Sequence, residues 1–379
     1  MQRNLSMNFL LRRHVRLSLL GVALGGYLSL FLLVVAPADA APENAKKLQI
    51  YFVDVEGGQA TLFVTPEGKS LLIDTGWPGN DGRDADRIVS AAKMAGIAMI
   101  DYVLITHFHD DHVGGAPQLA ARIPVGTFID HGENRETSSA GVQNVWQAYQ
   151  KLLATGKYKH ISAKPGEVLP LQGVDARVVS SDGALIDRAL PGAGGVNSAC
   201  AASETPSADH TENARSLGTL FTFGKLRILD LGDLTSDKER ELMCPQNKLG
   251  KIDIFVVSHH GSTTSNSPVL LNGIAPRVAI MDNSATKGGA PSSWETIKKA
   301  PGLEDLWQLH LIQERSLLVR LHTAFSNDSG PVHNVAEPFI ANLSGPDAGN
   351  YLKLTAWPDG NFEIFNARTQ TTKHYAPAH

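Results

Sequence analysis

Cysteine is scarce in this sequence. Only Cys200 and Cys244 occur among 379 residues, and neither has the Cys-x-x-Cys spacing of a redox or zinc site. In an oxidising compartment an even pair of cysteines predicts one disulfide, whereas two unrelated thiols are the alternative.

An excess of positive charge is also missing. The chain has 34 Lys and Arg against 38 Asp and Glu, a formal net charge of -4. This gives no strong signal of a nucleic-acid-binding protein. A small-molecule or nucleotide-type substrate remains compatible with it, because a bound metal can supply positive charge locally.

Neither an internal repeat nor a clear linker divides the chain. Its content of 42% hydrophobic and 19% charged residues is that of an ordinary globular protein. We therefore expect a single domain over about 45–379. Its core spans about 48–281, and a C-terminal strand or hairpin extension covers about 300–379.

The first forty residues have the pattern of an export signal. A basic start precedes the uncharged apolar run from Leu17 to Val35, and Ala38-Asp39-Ala40 gives the small-x-small pattern of a cleavage site. We expect residues 1–40 to be a signal peptide and the protein to be periplasmic or secreted. The alternative is an uncleaved anchor, which alone would place the protein at a membrane. Arg12-Arg13 leaves both the Sec and the twin-arginine route open.

Beyond this segment, apolar runs alternate with helical patterns, which indicates an α/β fold. Helices are predicted at Asp81 to Ala95 and around Val142 to Leu153. Strands are predicted at Leu48 to Asp54, Ala60 to Val64, Ser70 to Asp74, Tyr102 to Thr106, Val125 to Asp130, Ser216 to Phe223, Lys225 to Leu231, Ile252 to Ser258, Arg277 to Met281, Leu352 to Trp357 and Asn361 to Phe365.

Three histidines and two carboxylates lie together in His107-Phe108-His109-Asp110-Asp111-His112, directly after an apolar strand. In an extended chain residues i and i+2 point the same way, so His107 and His109 can converge on one ion. The turn that follows can direct Asp111 and His112 toward a neighbouring ion. Imidazole and carboxylate are the ligands of hydrolytic zinc sites, whereas a loop that is rich in histidine by chance is the alternative.

This His-x-His-x-Asp-His pattern resembles the metal motif of the metallo-β-lactamase superfamily. The resemblance extends over roughly Leu48 to Met281. It includes Leu72-Ile73-Asp74-Thr75-Gly76, Leu231-Gly232-Asp233 and Ser258-His259-His260-Gly261-Ser262. The last motif and the segment from Phe52 to Ala60 are most similar to the hydrolase domain of bacterial competence DNA-uptake proteins.

The resemblance implies a four-layer αβ/βα sandwich with the site at one edge, where strand ends meet. It also implies two divalent ions, with zinc expected and manganese or iron as alternatives, and attack by a metal-bound hydroxide. The implied metal ligands are His107, His109, Asp111, His112, Asp233 and His259. Asp111 is also assigned a catalytic role, because with Asp233 it can orient the nucleophile and accept its proton.

Several of these residues have a second interpretation. Asp233 could simply cap a helix that starts near Thr235. Adjacent residues at a strand end point to opposite faces, so only one histidine of the late motif is expected to bind metal. We assign His259 to the metal and leave His260 to donate a proton or to support the site. Asp54 and Asp74 are expected to support the site rather than to bind metal.

The sequence departs from the superfamily pattern at two positions. Many members have a histidine shortly before the Gly-Asp strand pair. Asn213 stands at that position in the competence-type pattern, and His210 and Glu212 are rivals for the role of third ligand to the first metal. Competence-type relatives also tend to have a histidine after the strand near Met281, where this chain reads Lys287-Gly288-Gly289-Ala290-Pro291. His310 could replace it, or could be a surface or core histidine.

Asp rather than Cys at the bridging position favours a phosphoryl group held by two cations over a β-lactam. We therefore expect an exported metal-dependent hydrolase of a phosphodiester. Hydrolysis of a lactone, ester, thioester or β-lactam is the alternative, and a non-catalytic metal-binding module is the second. The irregular stretch from Ser180 to Asn213 is expected to cover one side of the metal cleft and to open at Gly192, Gly194 and Gly195.

Overall fold

A computed structural model describes residues 46–313, 332–344 and 347–378. The predicted signal peptide lies outside these residues. The strands in the described ranges are β1 (Leu48–Phe52), β2 (Thr61–Val64), β3 (Ser70–Ile73), β4 (Ile100–Leu104), β5 (Val125–Asp130), β6 (Lys159–Ser162), β7 (Asp175–Ser181), β8 (Ala184–Leu185), β9 (Gly218–Phe223), β10 (Leu226–Asp230), β11 (Ile254–Val256), β12 (Val278–Met281), β13 (Asp305–His310), β14 (Ile340–Asn342), β15 (Leu352–Ala356), β16 (Phe362–Asn366) and β17 (Thr371–Tyr375).

The α-helices of the same ranges lie between these strands. They are α1 (Arg83–Met94), α2 (Asp110–Val113), α3 (Ala116–Ala120), α4 (Ala140–Leu153), α5 (Ser236–Met243), α6 (Pro268–Ile274) and α7 (Pro291–Lys298). Among the helices described, none has the length and apolar character needed to cross a membrane.

The strands form two mixed sheets. The 9-stranded sheet has the order β17-β16-β15-β1-β2-β3-β4-β5-β6, and the 8-stranded sheet has the order β14-β13-β12-β11-β10-β9-β7-β8. Strands β3 to β6 are mutually parallel, as are β10 to β14. Residues that follow parallel neighbours therefore collect at one edge of each sheet.

The main core lies between the two sheets. Alternate residues of β1, namely Leu48, Ile50 and Phe52, point into it, as the two-residue period of a strand requires. Phe63 of the first sheet stacks on Phe221 of the second, with ring centroids 4.4 Å apart. The sheets thus pack face to face.

Helices cover the outer face of each sheet. Helix α1 buries Ile88, Ala91 and Ala92 against the first sheet, because their helical spacing places them on one face. Helix α6 buries Leu270, Leu271 and other residues in a separate cluster with outward-facing side chains of the second sheet, such as Phe255. The fold is therefore an αβ/βα sandwich, and the predicted fold class is confirmed.

The C-terminal hairpin is part of the first sheet. Strand β15 pairs antiparallel with β1, and Leu48 lies opposite Ala356. Strands β16 and β17 continue the sheet beyond β15. The segment that the sequence placed outside the core therefore completes the sheet in which the histidine motif lies.

The predicted disulfide is confirmed. Cys200 and Cys244 are bonded, and their Cα atoms lie 5.8 Å apart. The bond joins the irregular stretch to the end of α5.

The prediction that the glycines of this stretch open over the metal cleft is wrong. Backbone N–H groups of Leu190 and Gly194 donate to Lys248 and Asn247 at 2.9 and 2.8 Å. Those acceptors precede β11, whereas the metal motif residues follow the carboxyl ends of β10 and β11. Because the two strands are parallel, the glycines pack at the opposite edge of the sheet.

Candidate metal centre

The candidate metal residues follow strand ends in both sheets. Asp74 follows β3 and the histidine motif begins after β4, while Asp233 follows β10 and the late histidines follow β11. The two sheets face each other, so these strand ends meet at a common edge. Local sequence therefore places polar side chains at an edge that the topology assembles.

Four buried residues form the tightest part of the site. Asp111, His112, Asp233 and His260 each offer a ligand atom, and these atoms all lie within 4.8 Å of one another. Asp111 Oδ2 is 3.2 Å from His112 Nε2 and 3.1 Å from His260 Nε2. Donor atoms around a tetrahedral zinc ion are separated by roughly 3.3 Å, given bond lengths near 2.0–2.1 Å. This four-residue group therefore has the spacing of a cation site.

A pair of histidines adjoins the four-residue group. His107 Nε2 lies 3.0 Å from His109 Nδ1, as the shared direction of residues i and i+2 predicts. His107 Nε2 is also 3.9 Å from Asp233 Oδ2, and the same oxygen is 3.3 Å from His112 Nε2. Asp233 thus stands between the histidine pair and the four-residue group, where one carboxylate can serve two cations.

The late histidines do not follow the expected geometry. Ser258–Gly261 is a short turn, and His259 and His260 both have left-handed backbone conformations, with φ of 52° and 53°. His259 Nε2 lies 3.4 Å from Asp233 Oδ2, and His260 Nε2 lies 3.6 Å from Oδ1. The argument from alternating strand faces fails because the strand has already ended. His260, which the sequence placed outside the ligand set, lies in the four-residue group.

Carboxylates hold three of the imidazoles. Asp74 Oδ2 is 2.7 Å from His112 Nδ1, so Asp74 supports the site as predicted by its place after β3. Glu136 Oε2 is 3.1 Å from His109 Nε2, which directs Nδ1 of that ring toward His107. Asp282 Oδ1 lies 3.2 Å from His260 Nδ1, which is an ion-pair contact without hydrogen-bond geometry. Hydrogen-bonded partners such as Asp74 and Glu136 fix the ring orientation of metal-binding histidines.

Sequence reasoning missed two of these carboxylates. Asp282 directly follows the apolar strand β12, just as Asp74 follows β3, and this repeated pattern was a usable signal. Glu136 lies in a polar loop with no periodicity, so nothing local distinguished it from its neighbours.

The three candidates for the third ligand have separate surroundings. Asn213 Nδ2 is 3.5 Å from His259 Nε2, and that nitrogen is 3.4 Å from Asp233 Oδ2. Glu212 instead accepts hydrogen bonds from Phe108 N of the histidine motif at 3.2 Å and from His131 Nε2 at 2.9 Å. His210 is exposed and outside the group. Of the three candidates, Asn213 is the one that contacts a late histidine.

His310 does not take the place of a missing histidine at the four-residue group. Its Nε2 lies 2.7 Å from Asp54 Oδ1 and 3.7 Å from Glu56 Oε1. Arg87 also contacts Asp54, at 3.1 Å, so that carboxylate is already balanced by positive charge. Asp54 and His310 thus form a separate buried ion pair. In the four-residue group itself, Asp111 is contacted by Lys287.

The electrostatics of the site suit a cation. Burial, followed by the neighbouring His112 and His109, lowers the pKa of His107 well below its usual value and leaves a neutral imidazole with a free lone pair. Burial alone would raise the pKa of Asp233, but the surrounding imidazoles, first His112 and then His259, hold it well below its ordinary range. An ionised carboxylate therefore lies beside the neutral imidazole of His107. At His112 and His260, the nearby carboxylates outweigh burial and raise the pKa, so a cation bound by these two rings would displace a proton.

Asp233 Oδ1 and Asn213 Oδ1 are among the buried oxygens that lack a hydrogen-bond partner within the described residues. A buried acceptor without a partner typically costs about 1–3 kcal/mol. A bound cation would satisfy such oxygens, and carboxylate and imidazole are suitable ligands for zinc and similar ions. The residues present therefore fit divalent cations.

Comparisons with known proteins agree with this geometry. The family model described as the metallo-β-lactamase superfamily matches residues 53–199. Recombination protein 2 of Haemophilus influenzae is 27% identical over 237 residues, which is 62% of this chain and 24% of that protein. Competence protein ComA of Neisseria gonorrhoeae is 24% identical over 244 residues, which is 64% of this chain and 28% of that protein.

A third relative matches over a shorter stretch of the chain. Hydroxyacylglutathione hydrolase of Stenotrophomonas maltophilia is 29% identical over 105 residues, or 28% of this chain and 37% of that protein. The chain thus spans only about a quarter of the two competence-type relatives. Taken with the fold and the ordered motifs, the matches support a member of the metallo-β-lactamase superfamily that is related to bacterial competence proteins.

Proposed function

We propose that this chain is a metal-dependent hydrolase that cleaves a phosphodiester. The observation that carries the proposal is the position of Asp233, whose Oδ2 is 3.9 Å from His107 of the histidine pair and 3.3 Å from His112 of the four-residue group. A carboxylate between two sets of donors is the arrangement of a two-cation hydrolytic site. The relative named hydroxyacylglutathione hydrolase supports hydrolysis as the reaction class.

The ligand atoms favour a phosphoryl substrate. All of them are nitrogen or oxygen, and Asp233 occupies the position where thiolate would indicate a softer site. Divalent cations bound here would supply Lewis acidity, which favours deprotonation of water at neutral pH and stabilises charge on a phosphoryl oxygen. Zinc is the expected ion, with manganese or iron as alternatives.

We assign the remaining roles from the position of each side chain. His260 is enclosed by Asp111, Asp233 and Asp282, so it holds a cation rather than donating a proton to a leaving group. His259 has 15% of its side chain exposed, and Thr264 Oγ1 lies 3.0 Å from its Nδ1. It is therefore the late histidine that can reach a bound substrate. Asp111 and Asp233 orient the attacking water and accept its proton.

We also propose that the protein is exported. Disulfides persist in oxidising compartments, and the bond between Cys200 and Cys244 supports such a location. N-terminal sequencing of the protein from a cell fraction tests this. A mature chain that starts near Ala41 is expected, and an intact Met1 would contradict cleavage.

A second candidate is hydrolysis of a thioester or another carbon ester. It is favoured by the match to hydroxyacylglutathione hydrolase, which covers 28% of this chain. The two candidates share the attacking group and differ in the electrophile, so a comparison of substrates distinguishes them.

The test uses protein stripped by a chelator and reloaded separately with zinc, manganese or iron. Initial rates are measured with bis(4-nitrophenyl) phosphate, a lactone, a thioester and a chromogenic cephalosporin. We expect cation-dependent hydrolysis of the phosphodiester to exceed that of the others, and Asp233→Asn to lower it at least a hundredfold. Efficient thioester or lactone hydrolysis without phosphodiester cleavage would favour the second candidate. Cation binding without turnover of any substrate would indicate a metal-binding module.

A further inference from the structure

The side chain of Lys287 is held in a fixed position beside the four-residue group. Its Nζ donates a hydrogen bond to Gly57 O at 2.6 Å and another to Asp111 Oδ2. It also lies 5.0 Å from the centroid of the Trp77 ring. Only 24% of the side chain is exposed. Three surrounding groups thus hold the ammonium in place.

The backbone around Lys287 fixes this position. Ser284 N donates to Lys287 O at 2.9 Å, and Lys287 N donates to Ser284 Oγ at 2.9 Å, which closes a tight turn. Gly57 has a φ of 79°, and a Cβ there would lie 3.1 Å from Ser284 and 3.2 Å from Lys287. The close approach of the Gly57 backbone therefore belongs to the same arrangement that accepts the lysine.

The lysine shares an oxygen with the candidate cation site. Asp111 Oδ2 is the atom that lies 3.2 Å from His112 Nε2 and 3.1 Å from His260 Nε2. A zinc ion bound to this oxygen would be roughly 2.0–2.2 Å from it. An ammonium that donates a hydrogen bond to the same oxygen lies about 3 Å from it. The two positive charges would then be at most about 5 Å apart, whatever the angle at the oxygen.

This proximity has an electrostatic consequence. Like charges at such a distance repel, and salt screens a partly buried pair much less than an exposed one. Lys287 also neutralises one of the carboxylates that would otherwise attract the cation. We propose that Lys287 sets the cation affinity of the four-residue group and lowers it relative to a group without this charge. The inference rests on cation binding in the proposed function but not on the identity of the substrate.

A purely positioning role for Lys287 would change the cation affinity in the opposite direction. If Lys287 only held the Asp111 carboxylate in the correct orientation, its removal would weaken cation binding. The direction of the change in affinity therefore separates repulsion from positioning.

The experiment is a zinc titration of chelator-stripped protein against a chromophoric competitor. Lys287→Met and Lys287→Gln remove the charge and keep much of the side-chain length, whereas Lys287→Arg keeps the charge. Lys353→Met is the matched control, because Lys353 lies 5.1 Å from the Tyr51 ring centroid in a region outside the four-residue group. Circular dichroism and thermal unfolding of each variant establish that it is folded.

We expect one zinc equivalent to bind at least tenfold more tightly in both neutral variants. The Lys287→Arg and Lys353→Met proteins should match the wild type. Equal or weaker binding in whichever neutral variant folds would overturn the inference while leaving the proposed function intact. Failure of the wild type and every variant to bind a divalent cation would overturn the proposed function itself.

Discussion

Asp74 Oδ2 accepts a hydrogen bond from His112 Nδ1 at 2.7 Å, which leaves Nε2 of the same ring facing Asp111 and Asp233. Asp74 is itself held by Thr106, whose N–H and hydroxyl donate to its two oxygens at 2.8 and 2.7 Å. The backbone of Asp74 has a φ of 58°, a strained conformation for a residue other than glycine. This strand-end turn therefore fixes the tautomer of a candidate metal ligand.

Asp74→Asn should weaken cation binding by the four-residue group. The amide can still accept a hydrogen bond from His112, but its charge is lost, and changes to such partners typically lower metal affinity about 10–100-fold. Zinc titration against a chromophoric chelator measures the effect. Asp101→Asn is the control, because Asp101 accepts from Ser70 N at 3.0 Å, away from the candidate site. Equal zinc affinity in wild type and Asp74→Asn would show that Asp74 has no supporting role.

The late histidines should differ in their effect on metal content. His260→Ala removes a member of the four-residue group and should cost one zinc equivalent per chain. His259→Ala should keep that equivalent, because all four members of the group, His260 included, remain. Inductively coupled plasma mass spectrometry after dialysis gives the zinc content. Loss of the equivalent in the His259 variant alone would restore the assignment expected from the sequence.

Glu212 and His210 should differ in their effect on stability. Glu212 accepts hydrogen bonds from Phe108 N, Arg135 N and His131 Nε2, at 3.2, 2.7 and 2.9 Å. Glu212→Ala leaves such donors without an acceptor and should lower the free energy of unfolding by about 3 kcal/mol. His210 is exposed, so His210→Ala should change it by less than about 0.5 kcal/mol. Urea unfolding of metal-free protein is the measurement, and equal stabilities would contradict the buried role of Glu212.

Asp230 should make the stability of the metal-free protein depend on pH. Burial, with the nearby Asp74 and Asp282 charges, raises its pKa to about 7, although Gly232 N and Gln59 donate hydrogen bonds to it. Between pH of about 4 and 7 the folded chain keeps a proton that the unfolded chain releases, so stability falls as pH rises. The loss should approach roughly 4 kcal/mol, at about 1.4 kcal/mol per unit of pKa.

The control for this effect is Asp230→Asn, which cannot ionise. Its amide can keep both hydrogen bonds if the Gln59 amide turns over, because Gln59 Nε2 now donates to Asp230 Oδ2 at 2.6 Å. Urea unfolding at several pH values should show wild type losing stability relative to this variant as pH rises. A difference that stays constant from pH 4 to 8 would rule out the shifted carboxyl.

The sequence was most informative where structure depends on neighbouring residues. Strand β5 begins at Val125 and ends at Asp130 as predicted, because a short apolar run between polar segments defines a buried strand. The converging His107 and His109 likewise follow from the two-residue period of extended chain. Both features are encoded within a few positions.

Features that depend on distant residues could not be predicted in the same way. The pairing of β1 with β15 and the ion pair of Asp54 with His310 join segments about 250–300 residues apart, and no local pattern specifies such partners. The turn at His259 and His260 depends on left-handed backbone angles that are uncommon for residues other than glycine. The contact of Lys287 with Asp111 arises only once the two sheets face each other.

The most direct test of the two-cation account is an anomalous difference map from crystals of zinc-loaded protein, with data collected on both sides of the zinc edge. The account predicts two peaks that flank the Asp233 carboxylate. One should contact His107 Nε2 and His109 Nδ1, and the other should contact Asp111, His112 and His260. A single peak, or two peaks that do not share Asp233, would contradict it.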